Sequence, residues 1–181
     1  MNRIINLTGF DKETFIKINN LGVIAGGSVV YALNEFVPKQ SVGDVDIFVL
    51  NEDLGIFNKL RGIIRNATGN IPEESDDNYC EKINLTKVAT FENPRGKPIQ
   101  LILSTMKNPR ELVNDFTLDY VRCYFHEGMF GVTESARQAH ASKTVTLLDK
   151  NHDDIEIRIQ KARKKGFEIS DGEWEFTTFV R

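Results

Sequence analysis

Apolar and polar positions along the chain change period several times, and each change predicts an element. Residues 11–20 set a polar cap before Phe15, Ile16 and Ile18, which predicts a short helix leading into an apolar strand over 21–25. Gly26 and Gly27 end that strand. From Ser28 onward, Val29, Val30, Leu33, Phe36 and Val37 fall near helical spacing until Pro38, so Ser28 reads as the N-cap of the next helix. Val45, Ile47 and Val49 then alternate with Asp44, Asp46 and Phe48. That is a period-2 strand over 44–50, and it puts the two carboxylates on one face.

Residues 53–66 carry apolar side chains at helical spacing with Lys59, Arg61 and Arg65 opposite, an amphipathic helix followed by a polar loop over 67–78. Two β-rich runs, 83–91 and 99–103, flank a Pro- and Gly-containing turn and predict a hairpin. Asn108 and Pro109 mark the start of a helix over 109–114, residues 118–125 read as a strand, and 134–143 as an Ala-rich helix. Residues 153–165 open on acids and close on Lys161, Arg163, Lys164 and Lys165 before Gly166, which matches the helix dipole at both ends. The tail, 167–181, carries Trp174, Phe176 and Phe179 and is expected to add a strand or cover an open face. Together these elements predict a single α+β domain over 1–181, a mixed β-sheet flanked by helices with 21–25, 44–50 and 99–103 among its strands.

Composition narrows the function. With 23 Lys and Arg against 26 Asp and Glu, the chain has no global field to draw it onto nucleic acid or an anionic membrane, so any nucleic-acid contact must be local. No apolar run approaches the roughly 18 residues of a membrane span, and the N-terminus is too briefly apolar for a secretion signal. Two cysteines, Cys80 and Cys123, are too few for a disulfide framework, so a cytoplasmic setting is expected, with both thiols structural. His126 and His140 form no metal-ligand spacing with the cysteines, and no Ser-His-Asp set or P-loop is present.

What remains is a constellation suited to phosphate chemistry. At the strand-to-helix junction, Gly26 and Gly27 let the backbone approach phosphate oxygens, the helix start favours anions, and the Ser28 hydroxyl offers a further donor. Asp44 and Asp46 offer hard oxygen ligands for Mg²⁺ or Mn²⁺. Taken singly, a Gly pair reads as a tight turn and alternating acids as a solvated strand face. The order strand, Gly26-Gly27-Ser28, helix, turn, then Gly43-Asp44-Val45-Asp46-Ile47-Phe48-Val49 resembles the signature of the DNA polymerase beta-like nucleotidyltransferase superfamily, which includes polyadenylating, CCA-adding and antibiotic-adenylylating enzymes. The later segments Ala89-Thr90-Phe91, Pro98-Ile99-Gln100-Leu101-Ile102 and Asp119-Tyr120-Val121-Arg122-Cys123 are similar to nucleotidyltransferase-like proteins of phages, giant viruses and fungi, so the resemblance spans roughly 22–166.

The resemblance implies the minimal nucleotidyltransferase fold, an NTP donor, a divalent metal on Asp44 and Asp46, and an acceptor hydroxyl on tRNA or another nucleic acid, or on protein. It also implies host cytoplasm if the source is viral. The superfamily takes a third carboxylate from a later strand, where this chain has Gln100, an amide that cannot take a proton from a nucleophile. Asp119, opening the 118–125 strand, is the substitute this reading offers, against the alternative of a turn-proximal or capping Asp. Lys87 offers a phosphate contact, against the alternative of a solvated strand lysine. Arg122 reads in the same two ways; Arg137, His140 and Lys143 near one helix face offer a nucleotide or acceptor contact against the alternative of a solvated face, and the Lys161 to Lys165 cluster reads as complementing a helix C-terminus. Two functions compete: a metal-dependent nucleotidyltransferase, and a catalytically silent nucleotide-binding or regulatory module of the same fold, which Gln100 favours.

Overall fold

The computed structural model describes residues 1–75, 85–148 and 154–170. Helix α1 (Asn2–Thr8), which the sequence pattern did not reveal, buries Ile4 and Leu7. Helix α2 (Lys12–Leu21) starts at Asp11, whose carboxylate accepts the Thr14 N–H, and delivers the chain into strand β1 (Val23–Ala25). Helix α3 (Gly27–Leu33) follows at once. Its N-cap is Gly26 at φ +76°, not Ser28 as expected, because only a residue without Cβ turns the chain that sharply out of β1; Ser28 lies inside the first turn.

Strand β2 (Val45–Val49) leads to α4 (Leu54–Thr68), capped by Asp53, and then to the two-residue β3 (Glu73–Glu74). Strands β4 (Leu85–Phe91) and β5 (Ile99–Ser104) form the predicted hairpin, and α5 (Pro109–Asn114) begins on Asn108 with Pro109 in its first turn. The expected strand over 118–125 divides: Asp119–Val121 is a 3-10 turn and only β6 (Cys123–His126) is extended. Then come β7 (Met129–Val132), α6 (Glu134–Ser142), β8 (Thr144–Val145), α7 (Ile155–Lys164) and β9 (Glu168–Ile169). Cys80 and the aromatic residues Trp174, Phe176 and Phe179 lie outside the described residues.

The described strands form a seven-stranded mixed sheet in the order β3-β4-β5-β2-β1-β6-β7, in which β2 and β5 are the parallel pair, while β8 and β9 pair separately. Pleating decides which side chains face which layer. Val45, Ile47 and Val49 join Ile24, Leu101 and Leu103 in the main core beneath α2 and α4, where Phe15, Phe57 and Leu60 are fully buried. Asp44, Asp46 and Phe48 face the other way. There Phe48, Ile102, Leu112 and Val113 make a smaller apolar cluster under α5, which leaves part of the sheet uncovered. Among the described residues no helix is long and apolar enough to cross a membrane.

Candidate functional site

The uncovered part of the sheet is the floor of a cleft of about 1020 Å³. Asp44, Asp46 and Gln100 lie on that floor, the Gly26-Gly27 turn forms one wall, and α7 supplies Arg158, Lys161 and Lys165 from another. Register explains the floor. Asp46 pairs with Ala25 on one side and with Gln100 on the other, so the amide sits beside the carboxylate on the neighbouring parallel strand. Gly26 completes the juxtaposition: a Cβ there would lie 3.6 Å from Asp46 Oδ2.

Burial, with Asp44 close by, pushes the Asp46 carboxyl up to about 8, against the pull of Lys161 and Lys165. Lys165 is itself only 4% exposed, and burial followed by repulsion from Lys161 lowers its pKa while Asp44 and Asp46 hold it up. Its position follows from the end of α7. Gly166 turns the chain at φ +86°, and Phe167 packs against the rings of Phe36, Tyr120 and His140, which turns Lys165 inward. Of the Lys161 to Lys165 cluster, expected to complement the helix dipole, Lys161, Lys164 and Lys165 therefore line the cleft and Arg163 does not. A signal was present in the sequence: Arg158, Lys161 and Lys165 at i, i+3 and i+7 share one helical face.

Other expected site residues lie elsewhere. Asp119 occupies the 3-10 turn, where its Oδ2 accepts the Thr146 N–H at 3.0 Å, and it lines a separate cavity of about 330 Å³ with Ser135, Gln138 and Thr144. Asp119 stands in the turn and caps no helix, because the chain bends before β6 instead of presenting it on the sheet. Among the described residues no three His, Cys, Asp or Glu side chains are grouped to hold a metal, so the three-acid set of Asp44, Asp46 and Asp119 is not formed. Lys87 shares the strand face of Ala89, opposite the cleft, with its Nζ 3.5 Å from Glu74 and 5.8 Å from the Phe57 ring centroid. It does not line the cleft.

Ser28 is buried behind the glycine turn, and its hydroxyl has no hydrogen-bond partner among the described residues. Arg122 donates to the Phe116 carbonyl, His140 bonds the Tyr120 carbonyl, and Arg137 pairs with Glu134, so none of the three is presented to the cleft. Cys123 is fully buried, which raises its thiol pKa, as suits a structural cysteine.

A family model described as Gad2, Gabija anti-defense 2 family protein, matches residues 3–159. The chain belongs to the Gad2 family. No curated protein sequence matches this Gad2-family chain. Solved structures do share its fold. A tRNA-processing enzyme in an apo form is similar over 88% of this chain and 44% of its own, at 14% identity and a TM-score of 0.57. The Bacillus stearothermophilus CCA-adding enzyme in complex with CTP is similar over 88% of this chain and 40% of its own, at 15% identity and a TM-score of 0.50. The Gad2-family chain thus spans less than half the length of these structures. Its mixed sheet and flanking helices are a nucleotidyltransferase fold, in agreement with the expectation from the Gly-Gly-Ser and Asp-x-Asp segments.

Proposed function

We propose that the chain is a metal-dependent nucleotidyltransferase that binds an NTP with its phosphates at the Gly26-Gly27 turn and uses Asp44 and Asp46 as its acid pair. The observation that carries this reading is the juxtaposition of two carboxylates on one strand face with an open glycine turn, in a cleft large enough for a nucleotide. The acid pair fits a hard divalent cation such as Mg²⁺ or Mn²⁺. It offers oxygen donors, and the attraction of a bound cation would offset the burial and the Asp44 repulsion that hold Asp46 up at about 8. Asp44 and Asp46 would hold the metal, which would supply charge neutralisation at the reacting phosphate.

The chain's own groups do the rest. Gly26 and Gly27 give phosphate oxygens access to the backbone, and the unpartnered Ser28 hydroxyl behind them is a donor in reserve. Because α3 has seven residues, little of the binding is assigned to its dipole. Phe48, Ile102 and Phe116 give the cleft an apolar side on which a base or an acceptor group can rest. Attack of an acceptor hydroxyl on the α-phosphate would release pyrophosphate.

A second reading, a silent nucleotide-binding module, is favoured by Gln100, which stands beside Asp46 and cannot accept a proton. The family description implies an anti-defence role against Gabija: by modifying an acceptor under the first reading, by holding a nucleotide under the second. Incubation with each labelled NTP and Mg²⁺ or Mn²⁺ against tRNA, other RNA, DNA and protein tests both. CTP and tRNA come first, since one related structure is a tRNA-processing enzyme and another holds CTP. Label should move to one acceptor and stop in Asp44→Asn and Asp46→Asn. An NTP that binds without any label transfer supports the silent module, and no NTP binding at all removes both readings.

A further inference from the structure

The lysines of α7 are not explained by the fold. A lysine at a helix C-terminus complements the dipole equally well in water, and Lys164 does so as an exposed side chain. Lys164 and Lys165 both line the cleft, but Lys165 is only 4% exposed. Its Cε would be 3.3 Å, and its Nζ 3.6 Å, from a Cβ built on Gly27. Among the described residues no hydrogen bond or ion pair within 4 Å is found for its Nζ. Asp44 and Asp46 act on it only through the longer-range field, with Lys161 and Lys164 opposing them. The stem of Lys165 is buried while its ammonium, not one of the sealed unpartnered atoms, opens to the cleft; an ammonium held there with little water around it is where an anion is taken up. The absent side chain of Gly27 makes room at that point for Lys165 and for an oxyanion together.

From this geometry we infer that Lys165 and Lys161 form a polyphosphate site at the Gly26-Gly27 turn, one that holds the phosphates not transferred and needs no metal to do so. That the natural polyphosphate belongs to a nucleotide rests on the reading above; the anion site itself does not. Lys165 binds from the interior, with its orientation fixed by the Gly166 turn, while exposed Lys161 closes on the same anion from the cleft side. The division of labour is then clear: α7 binds the tail of the donor, and the acids on β2 are left for the reacting phosphate.

The test uses inorganic tripolyphosphate as the probe, titrated calorimetrically in EDTA against the full chain, with melting followed in parallel. Wild type should bind. Lys165→Met should lose ~10-fold or more in affinity, the usual scale for one charge-assisted contact, yet melt no lower than wild type, because it removes a charge held with little water around it. Lys161→Met, at an exposed position that does not endanger folding, should lose several-fold. Arg163→Met removes the same charge from the same helix outside the cleft and should bind as wild type does. The inference is overturned if wild type does not bind tripolyphosphate in EDTA, or if the three variants are indistinguishable. Lys165-dependent binding of tripolyphosphate with no NTP binding would retain the anion site and remove the nucleotidyltransferase reading. NTP transfer with an unchanged KM in both Lys165→Met and Lys161→Met would do the reverse.

Discussion

At the scale of single residues, two buried polar atoms lack partners among the described residues, Ser28 Oγ and Asp119 Oδ1, and they make opposite kinds of prediction. An unsatisfied buried hydroxyl costs of order 1–3 kcal/mol, so Ser28→Ala should be neutral or raise stability by about 1 kcal/mol in the absence of ligand. If the Ser28 hydroxyl serves the phosphates, the same variant should weaken NTP binding several-fold. A lower melting temperature with unchanged NTP affinity would make Ser28 an ordinary core residue. For Asp119 the relevant quantity is pH. Burial raises its pKa, partly offset by the Thr146 N–H. A carboxyl whose pKa is raised on folding stabilises the protein fully below its unfolded pKa, and that contribution is lost as pH rises through the folded value. Asp119→Asn cannot ionise, so urea denaturation should show wild type losing stability relative to the variant as pH rises above the ordinary Asp range. Transfer activity should survive, since Asp119 faces a different cavity; an inactive, well-folded Asp119→Asn would restore it to the site.

At the scale of elements, the position of α7 decides how much of the site has cations at all. Gly166 is its stop, at φ +86°, and Phe167 is its anchor, 2% exposed against Phe36 and Tyr120. Gly166→Ala has space for its methyl, 3.6 Å from Phe36 Cδ2, but imposes a left-handed backbone on an L side chain, at a cost of roughly 1–2 kcal/mol. The expected result is a lower melting temperature together with weaker tripolyphosphate binding, because Lys165 moves with the turn. Elements also show what the sequence could and could not disclose. The alternation of Val45, Ile47 and Val49 with the two acids is local, so β2 and the shared face of Asp44 and Asp46 are readable before folding. The basic run of α7 reads as a helix end, yet which neighbour that helix faces is set by long-range packing of Phe167 and cannot be read along the chain. The strand expected over 118–125 begins late: Leu118 and Tyr120 are both buried, as a strand would bury them, but the backbone there is a 3-10 turn. Lys87 faces away from the cleft for a related reason, since the face of a strand residue depends on which side of the sheet its neighbours cover.

At the scale of the whole molecule, the question is whether a nucleotidyltransferase fold with this cleft completes the chemistry, and Gln100 is where that is decided. Parallel pairing of β2 with β5 places Gln100 beside Asp46, and Thr90 of β4 flanks it on the far side, so the position is fixed by sheet register and not by a mobile loop. Gln100→Glu keeps the side-chain length and exchanges an amide for a carboxylate. Without metal it adds a third negative charge next to a pair that already repels, so the apo variant should melt below wild type. With Mg²⁺ the order should narrow or reverse, because a third oxygen ligand raises metal affinity and bound metal stabilises by mass action. If wild type is limited by the missing proton acceptor, the new carboxylate should raise the rate of label transfer by roughly 10²- to 10⁴-fold, the usual contribution of a general base. Removal of the pair in Gln100→Glu/Asp44→Asn should abolish the gain. A variant that binds Mg²⁺ and NTP more tightly and still moves no label would identify the cleft as a nucleotide holder, with the fold kept for binding and Gln100 as the residue that fits that role.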